Sequence, residues 1–150
     1  HICEVEIDPE TGHVDVVSYR VLDDFGRVIN PMLVAGQVHG GVVQGLGQAL
    51  MEHAVYDDSG QIVTASFADY AMPRAEDMPD IEFAYEEIPC KTHPMGAKGC
   101  GEAGTVGALP AIMSAVCDAI GIEHLDMPAT PERVWRAIRG KKTGRAHTSS

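Results

Sequence analysis

Positive charge is scarce in this chain: 11 lysines and arginines stand against 22 aspartates and glutamates, a formal net charge of −11 over 150 residues. That balance argues against a nucleic-acid-binding surface, which needs a basic stripe, and most of the acids read as solvated faces. The four cysteines, Cys3, Cys90, Cys100 and Cys117, include no Cys-x-x-Cys pair and fit neither a zinc ribbon nor a ferredoxin cluster. They read as free thiols at a density below that of a disulfide scaffold, which points to a reducing cytoplasm. Seven histidines are scattered without a His-x-x-x-His or His-Glu-x-x-His pair, so no protein metal ligand is assigned. No apolar run reaches the roughly 20 residues of a membrane-spanning helix, and the longest candidate, 105–122, is interrupted by Gly107, Pro110 and Asp118. Internal repeats, low-complexity blocks and a signal-peptide pattern are also missing. The chain opens on His1 in strand-like sequence and is expected to be a piece of a longer polypeptide.

What is present suffices for one globular domain, with 45% hydrophobic and 22% charged residues. Residues 2–7 alternate apolar and polar, 8–12 form a turn signal, and 13–21 are rich in β-branched residues, which together predict a hairpin. Asp23-Asp24-Phe25-Gly26 and Asn30-Pro31 read as turns, the two aspartates as solvated. Apolar residues at helical spacing predict a helix over 37–54, and again over 109–120 with Pro110 in its first turn and Gly121 as its C-terminal cap. Further strands are expected near 55–65 and over 81–88. Between them, the aromatics of 67–74 are assigned to a core. Thr130-Pro131-Glu132 announces a short final helix bearing Val134, Trp135 and Ile138, and 141–150 reads as a loosely held tail. The fold class is therefore α+β, antiparallel strands packed against two main helices plus a short C-terminal helix.

Two glycine-rich stretches carry the chemistry. In the first helix Gly40, Gly41, Gly45 and Gly47 fall within eight residues, each costing a helix about 1 kcal/mol relative to alanine. Either another backbone packs closely there or a flat ligand does. Gln44 and Gln48, one turn apart and sharing a face with Gly40, Gly41 and Gly47, could read a polar ligand edge with their amides. The second stretch, Gly96-Ala97-Lys98-Gly99-Cys100-Gly101-Glu102-Ala103-Gly104, sets one carboxylate among four glycines ahead of an apolar segment. Glycine lets backbone approach a ligand closely. An acid before a helix is equally explained by the helix dipole.

Three segments in order, 36–50 (Gly-Gln-Val-His-Gly-Gly-Val-Val-Gln-Gly-Leu-Gly-Gln-Ala-Leu), 66–74 (Ser-Phe-Ala-Asp-Tyr-Ala-Met-Pro-Arg) and 99–104 (Gly-Cys-Gly-Glu-Ala-Gly), resemble the C-terminal part of the molybdenum-binding large subunit of the xanthine dehydrogenase, aldehyde oxidase and carbon monoxide dehydrogenase family. Residues 27–31 and 130–135 fit its bacterial branch, and the resemblance runs to about Ile138. It implies that Glu102 is the general base beside a molybdenum carried on a pterin dithiolene. An ordinary glutamate, with a pKa of about 4.3, is ionised near neutrality, and a dry pocket would strengthen it as a base. The resemblance also implies that Gln44 reaches the molybdenum cofactor and that backbone at Lys98, Gly99, Cys100 and Gly101 lies against it, with Cys100 no nucleophile.

On the same footing, the cofactor is expected to be molybdenum-molybdopterin in its cytosine dinucleotide form, absent from this piece alone. The remaining cofactor-holding segments would come from the N-terminal remainder of the same large subunit, with 1–140 as the C-terminal subdomain. No flavin segment and no iron-sulfur cysteine set occur here, so FAD and iron-sulfur clusters are expected only on partner domains or subunits. The implied reaction is oxidative hydroxylation of an aldehyde, a heteroaromatic ring or a related small substrate, in a cytoplasmic enzyme in which this chain alone is inactive. The alternatives are a non-catalytic phosphate- or nucleotide-binding module using the glycine loop, and a structural interaction module. Against the first, a P-loop needs Gly-Lys-Ser/Thr at the helix start, and Glu102 would repel phosphate.

Overall fold

The computed structural model describes residues 1–145. Strands β1 (Ile2–Ile7) and β2 (Val14–Asp24) form the expected antiparallel hairpin, closed by Asp8 N–H donating to the His13 carbonyl at 3.0 Å and turned at Gly12, whose φ is 76°. Pairing slips between Glu4 and Val5, leaving Val17 of β2 without a partner. That extra residue inverts the strand's alternation: Val14 and Val16 point inward before it, Tyr19, Val21 and Asp23 after it.

Helix α1 (Pro31–Leu50) begins six residues earlier than the apolar period indicates. Asn30 caps it, its side-chain oxygen accepting from Leu33 N–H at 3.2 Å, and Pro31 occupies the first turn. The Asn30-Pro31 turn signal was thus a helix start, and the helix ends at Leu50, four residues short of 54. Beyond it, the strands expected near 55–65 reduce to a single antiparallel bridge between Tyr56 and Ile62. This region is a long surface segment, and Phe67, assigned to a core by sequence, is 85% exposed.

Strand β3 (Ile81–Glu86) joins the far side of β2, giving the order β1-β2-β3. It pairs parallel to β2, from Tyr19↔Ile81 to Asp24↔Glu86, so the sheet is mixed rather than antiparallel throughout. The topology permits this: α1 and the surface segment intervene between the two strands, and parallel pairing needs a crossover of at least about a dozen residues. Asp23 and Asp24 accordingly lie inside β2 and not in a solvated turn.

Helix α2 spans Ala103–Ile120, starting six residues before 109 and carrying Pro110 in its interior. Gly104 and Gly107 weaken local helix propensity, and packing against α1 overrides it. Gly121 ends the helix in the left-handed conformation, φ 65°, as its sequence position indicates. By length and composition α2 could cross a membrane, with mean hydropathy 1.5, but in this fold it lies on α1 and β1. Helix α3 (Pro131–Arg145) is longer than expected and runs five residues into the stretch read as a tail. Residues 146–150 lie outside the described residues.

The core joins Val38, Val42 and Leu46 of α1, Tyr19 and Val21 of β2, Ile112 and Val116 of α2, and Val134 of α3. One polar cluster borders it. His1 Nδ1 sits 2.9 Å from the Tyr19 hydroxyl and its Nε2 3.5 Å from Asp23 Oδ1, while burial pushes the Asp23 carboxyl above its usual range.

Candidate functional site

The glycines of α1 divide into two groups. Gly41 and Gly45 face α2: a Cβ on Gly41 would lie 3.0 Å from the Gly104 Cα, and one on Gly45 would lie 2.6 Å from the Ala108 Cβ. Gly104 reciprocates, since its Cβ would fall 2.5 Å from the Val38 carbonyl oxygen. Thr105 Oγ1 donates to the Gly41 carbonyl at 3.0 Å across the same seam. Gly47 is hemmed in by Glu52 and Pro73. Close helix packing therefore explains two of the four glycines, Gly41 and Gly45, and the surface segment after α1 explains Gly47; Gly41 and Gly47 do not share the exposed face of Gln44.

Gly40 belongs to the other group. A Cβ there would meet nothing within 4 Å, nor would one at Gly36. With Gln37, Gln44 and Gln48, all exposed, these glycines form a bare polar stripe along α1. Among the described residues no side-chain hydrogen bond is made by Gln37, Gln44 or Gln48, so their amide edges are uncommitted.

The glycine loop arrives beside this helix from the sheet. Gly26, at φ 59°, bridges to Ala97; Arg27 N–H donates to the Gly96 carbonyl and Lys98 N–H to the Phe25 carbonyl, both at 2.9 Å. The Lys98 ammonium pairs with Asp24 Oδ2. That bond, with N–H donors from Gly26 and Ile88, holds the Asp24 carboxyl below the usual carboxylate range. Val28 N–H donates to Glu87 Oε1 at 2.7 Å, a second carboxylate contact tying the turn after β2 to the end of β3.

From Lys98 the chain runs through Gly99, Cys100 and Gly101 to Glu102, the N-cap position of α2. Glu102 makes no side-chain cap, its carbonyl accepting from Val106 N–H at 3.0 Å while its carboxylate is exposed and unbonded among the described residues. A crevice of about 260 Å³ separates the loop from the start of α1, lined by Phe25, Arg27, Leu33, Gln37, Lys98 and Cys100 among others.

The fold thus gathers Lys98, Gly99, Cys100, Gly101 and Glu102 in one loop against α1, the Gly41–Gly104 contact lying between Glu102 and Gln44 along the helix pair. Sequence reasoning missed Asp24 and Gln37. Asp24 carried the signature of a solvated turn, whereas Gln37, two turns before Gln44 in the helix expected over 37–54, could have been found from the helical period. The side chain of Lys98 is turned to Asp24 and is not free to cradle an anion. No group of three or more His, Cys, Asp or Glu able to hold a metal ion occurs among the described residues.

Comparison with known proteins shows what this chain is similar to. The molybdopterin cofactor-binding domain family matches residues 1–79, a span that includes α1. The large subunit of nicotine 6-hydroxylase from Paenarthrobacter nicotinovorans is 43% identical over 143 residues, covering 93% of this chain and 18% of its own. The carbon monoxide dehydrogenase large chain of Hydrogenophaga pseudoflava is 39% identical, again over 93% and 18%. Among solved structures, quinoline 2-oxidoreductase from Pseudomonas putida 86 superposes with a TM-score of 0.86 at 41% identity, over 90% of this chain and 18% of that one. The chain spans about a fifth of the length of these relatives.

Proposed function

Because the chain belongs to the molybdopterin cofactor-binding domain family, we propose that it forms the C-terminal part of the molybdenum-binding large subunit of a molybdenum hydroxylase, with Glu102 as general base. The observation that carries this reading is the delivery of an unbonded carboxylate, Glu102, from a glycine loop next to the bare stripe of α1.

The residues present suit a molybdenum pterin. Open space above Gly36 and Gly40 admits a flat group against the helix, and the uncommitted Gln44 amide offers both a donor and an acceptor to it. Backbone at Lys98, Gly99, Cys100 and Gly101 supplies further polar contacts without intervening bulk, since a Cβ at Gly99 or Gly101 would also meet nothing within 4 Å. When bound, the group supplies a two-electron acceptor and an activated, water-derived oxygen. The chain's own part is acid-base chemistry: the Glu102 carboxylate takes up the proton released as that oxygen bonds to an electron-poor carbon. Gln44 holds and orients, and the loop backbone fixes the distance.

The remaining cofactor contacts would come from the N-terminal remainder of the same subunit, the cofactor being the cytosine dinucleotide form. Electrons would leave through iron-sulfur and flavin domains or subunits in a cytoplasmic complex. A phosphate-binding role for the glycine loop has less support, because Asp24 takes the Lys98 charge and Glu102 is itself an anion. The substrate class is an aldehyde, a heteroaromatic ring or a related small molecule.

The test is expression of the full-length subunit with its partners in a host that makes the cofactor. Stoichiometric molybdenum, release of CMP on acid treatment, and dye reduction with at least one of nicotine, quinoline, benzaldehyde, xanthine or carbon monoxide are expected. Protein that folds yet contains no molybdenum would sink the reading.

A further inference from the structure

Between Lys98 and Glu102 the side chain that packs is Cys100, partly buried against the core. A side chain at Gly99 or Gly101 on either side of it would touch no neighbour, so the position of Glu102 depends on Cys100 and on the two anchors that flank this span. On the α2 side the anchor is the Gly41–Gly104 contact. On the other side it is Asp24.

We propose that Asp24 is a positioning residue: its carboxylate pins the glycine loop to the end of β2 and thereby sets where Glu102 is delivered. The assignment rests on Glu102 being the base. Asp24 Oδ1 accepts from Gly26 N–H at 2.8 Å and from Ile88 N–H at 3.1 Å, while Oδ2 accepts from the Lys98 ammonium. One carboxylate therefore ties three separate segments: the turn after β2, the chain leaving β3, and the loop itself. Only a carboxylate serves all three donors, because asparagine would turn an amide N–H₂ towards the ammonium. The backbone is already drawn close at this point, since a Cβ on Gly26 would sit 2.3 Å from the Gly96 carbonyl oxygen. These backbone contacts hold residues 96–98 near β2, and the Asp24–Lys98 pair fixes the last side chain before the unsupported glycines.

The experiment uses the full-length subunit loaded with its cofactor and compares Asp24→Asn, Lys98→Met, the double variant and Glu102→Gln. Hydrogen exchange of amides 96–102 is expected to quicken about tenfold or more in either single variant, the double being no faster than the quicker single because both act through one contact. Turnover of the substrate found in the panel above should fall about 10- to 100-fold in kcat, as misplacement of a reacting group predicts. KM should stay within about twofold and molybdenum content should be unchanged. Unaltered exchange at 96–102, faster exchange spread evenly over the subunit, or unchanged kcat would each overturn the proposal. Should Glu102→Gln keep full turnover, the base assignment fails by itself, and the exchange pattern alone then decides whether Asp24 holds the loop.

Discussion

Gly41 and Gly104 meet so closely that a Cβ on Gly104 would lie 3.0 Å from the Gly41 Cα and 2.5 Å from the Val38 carbonyl. Backbone cannot yield there as a flexible side chain would. Gly104→Ala should therefore force α1 and α2 apart and cost about 1–3 kcal/mol. Gly40→Ala, placed in open space on the same helix, should instead stabilise by up to about 1 kcal/mol through helix propensity. Urea midpoints of the two variants moving in opposite directions would verify the division. If Gly40 is bare to admit the cofactor, the stabilised variant should also bind less molybdenum.

Glu102→Gln keeps the shape of the side chain and removes its basicity. Among the described residues the carboxylate has no hydrogen-bond partner, so thermal stability and molybdenum content should be unchanged while kcat drops by about 10²–10⁴, the range of a lost general base. Steady-state kinetics with metal analysis of the same preparation make the comparison. Retention of full turnover would remove Glu102 from the mechanism.

Gln44 predicts a different signature. Exposed and unbonded, it contributes little to folding, so Gln44→Ala should leave the unfolding midpoint within about 0.5 kcal/mol of the parent. Its effect belongs to cofactor retention, measured as molybdenum remaining after gel filtration. A variant that retains metal as the parent does would show that the amide makes no cofactor contact.

The cysteines supply a pH-dependent check on local structure. The Thr92 hydroxyl, 3.3 Å from Cys90 Sγ, and neighbouring backbone amides lower the Cys90 thiol below its ordinary value, whereas burial pushes Cys3 up to about 11. Alkylation requires the thiolate, whose fraction grows as pH approaches the thiol's own value. Iodoacetamide at about pH 7.5 should therefore modify Cys90 well before Cys3, and the gap should narrow as pH rises towards 11. Peptide mass spectrometry gives the order, and Cys3 reacting first would contradict the described environment.

Local signals identified the hairpin, the Gly121 cap and the start of α3, because each depends on residues within one turn of itself. Parity along β2 did not follow, since the unpaired Val17 is set by the register of a different strand. The direction of β3 and the early start of α2 also depend on distant partners: a crossover in one case, the seam with Gly41 and Gly45 in the other. At the site, the motif drew attention to Glu102 and its loop. Asp24 stayed hidden because two adjacent aspartates before Phe-Gly look like a turn until Lys98, 74 residues away, is brought alongside.

The tight seam at Gly104 and Ala108 also has a mechanical meaning. It grips α2 over its first turns, with Glu102 about 3 Å along the axis from Gly104 and Ile120 about 24 Å away on the other side. Further along, Ile112 and Val116, both fully buried, hold the same helix through side chains. Side-chain contacts can adjust by small rotations, whereas backbone set against backbone has no such freedom. The carboxylate therefore stands beside the stiffest of the helix's contacts.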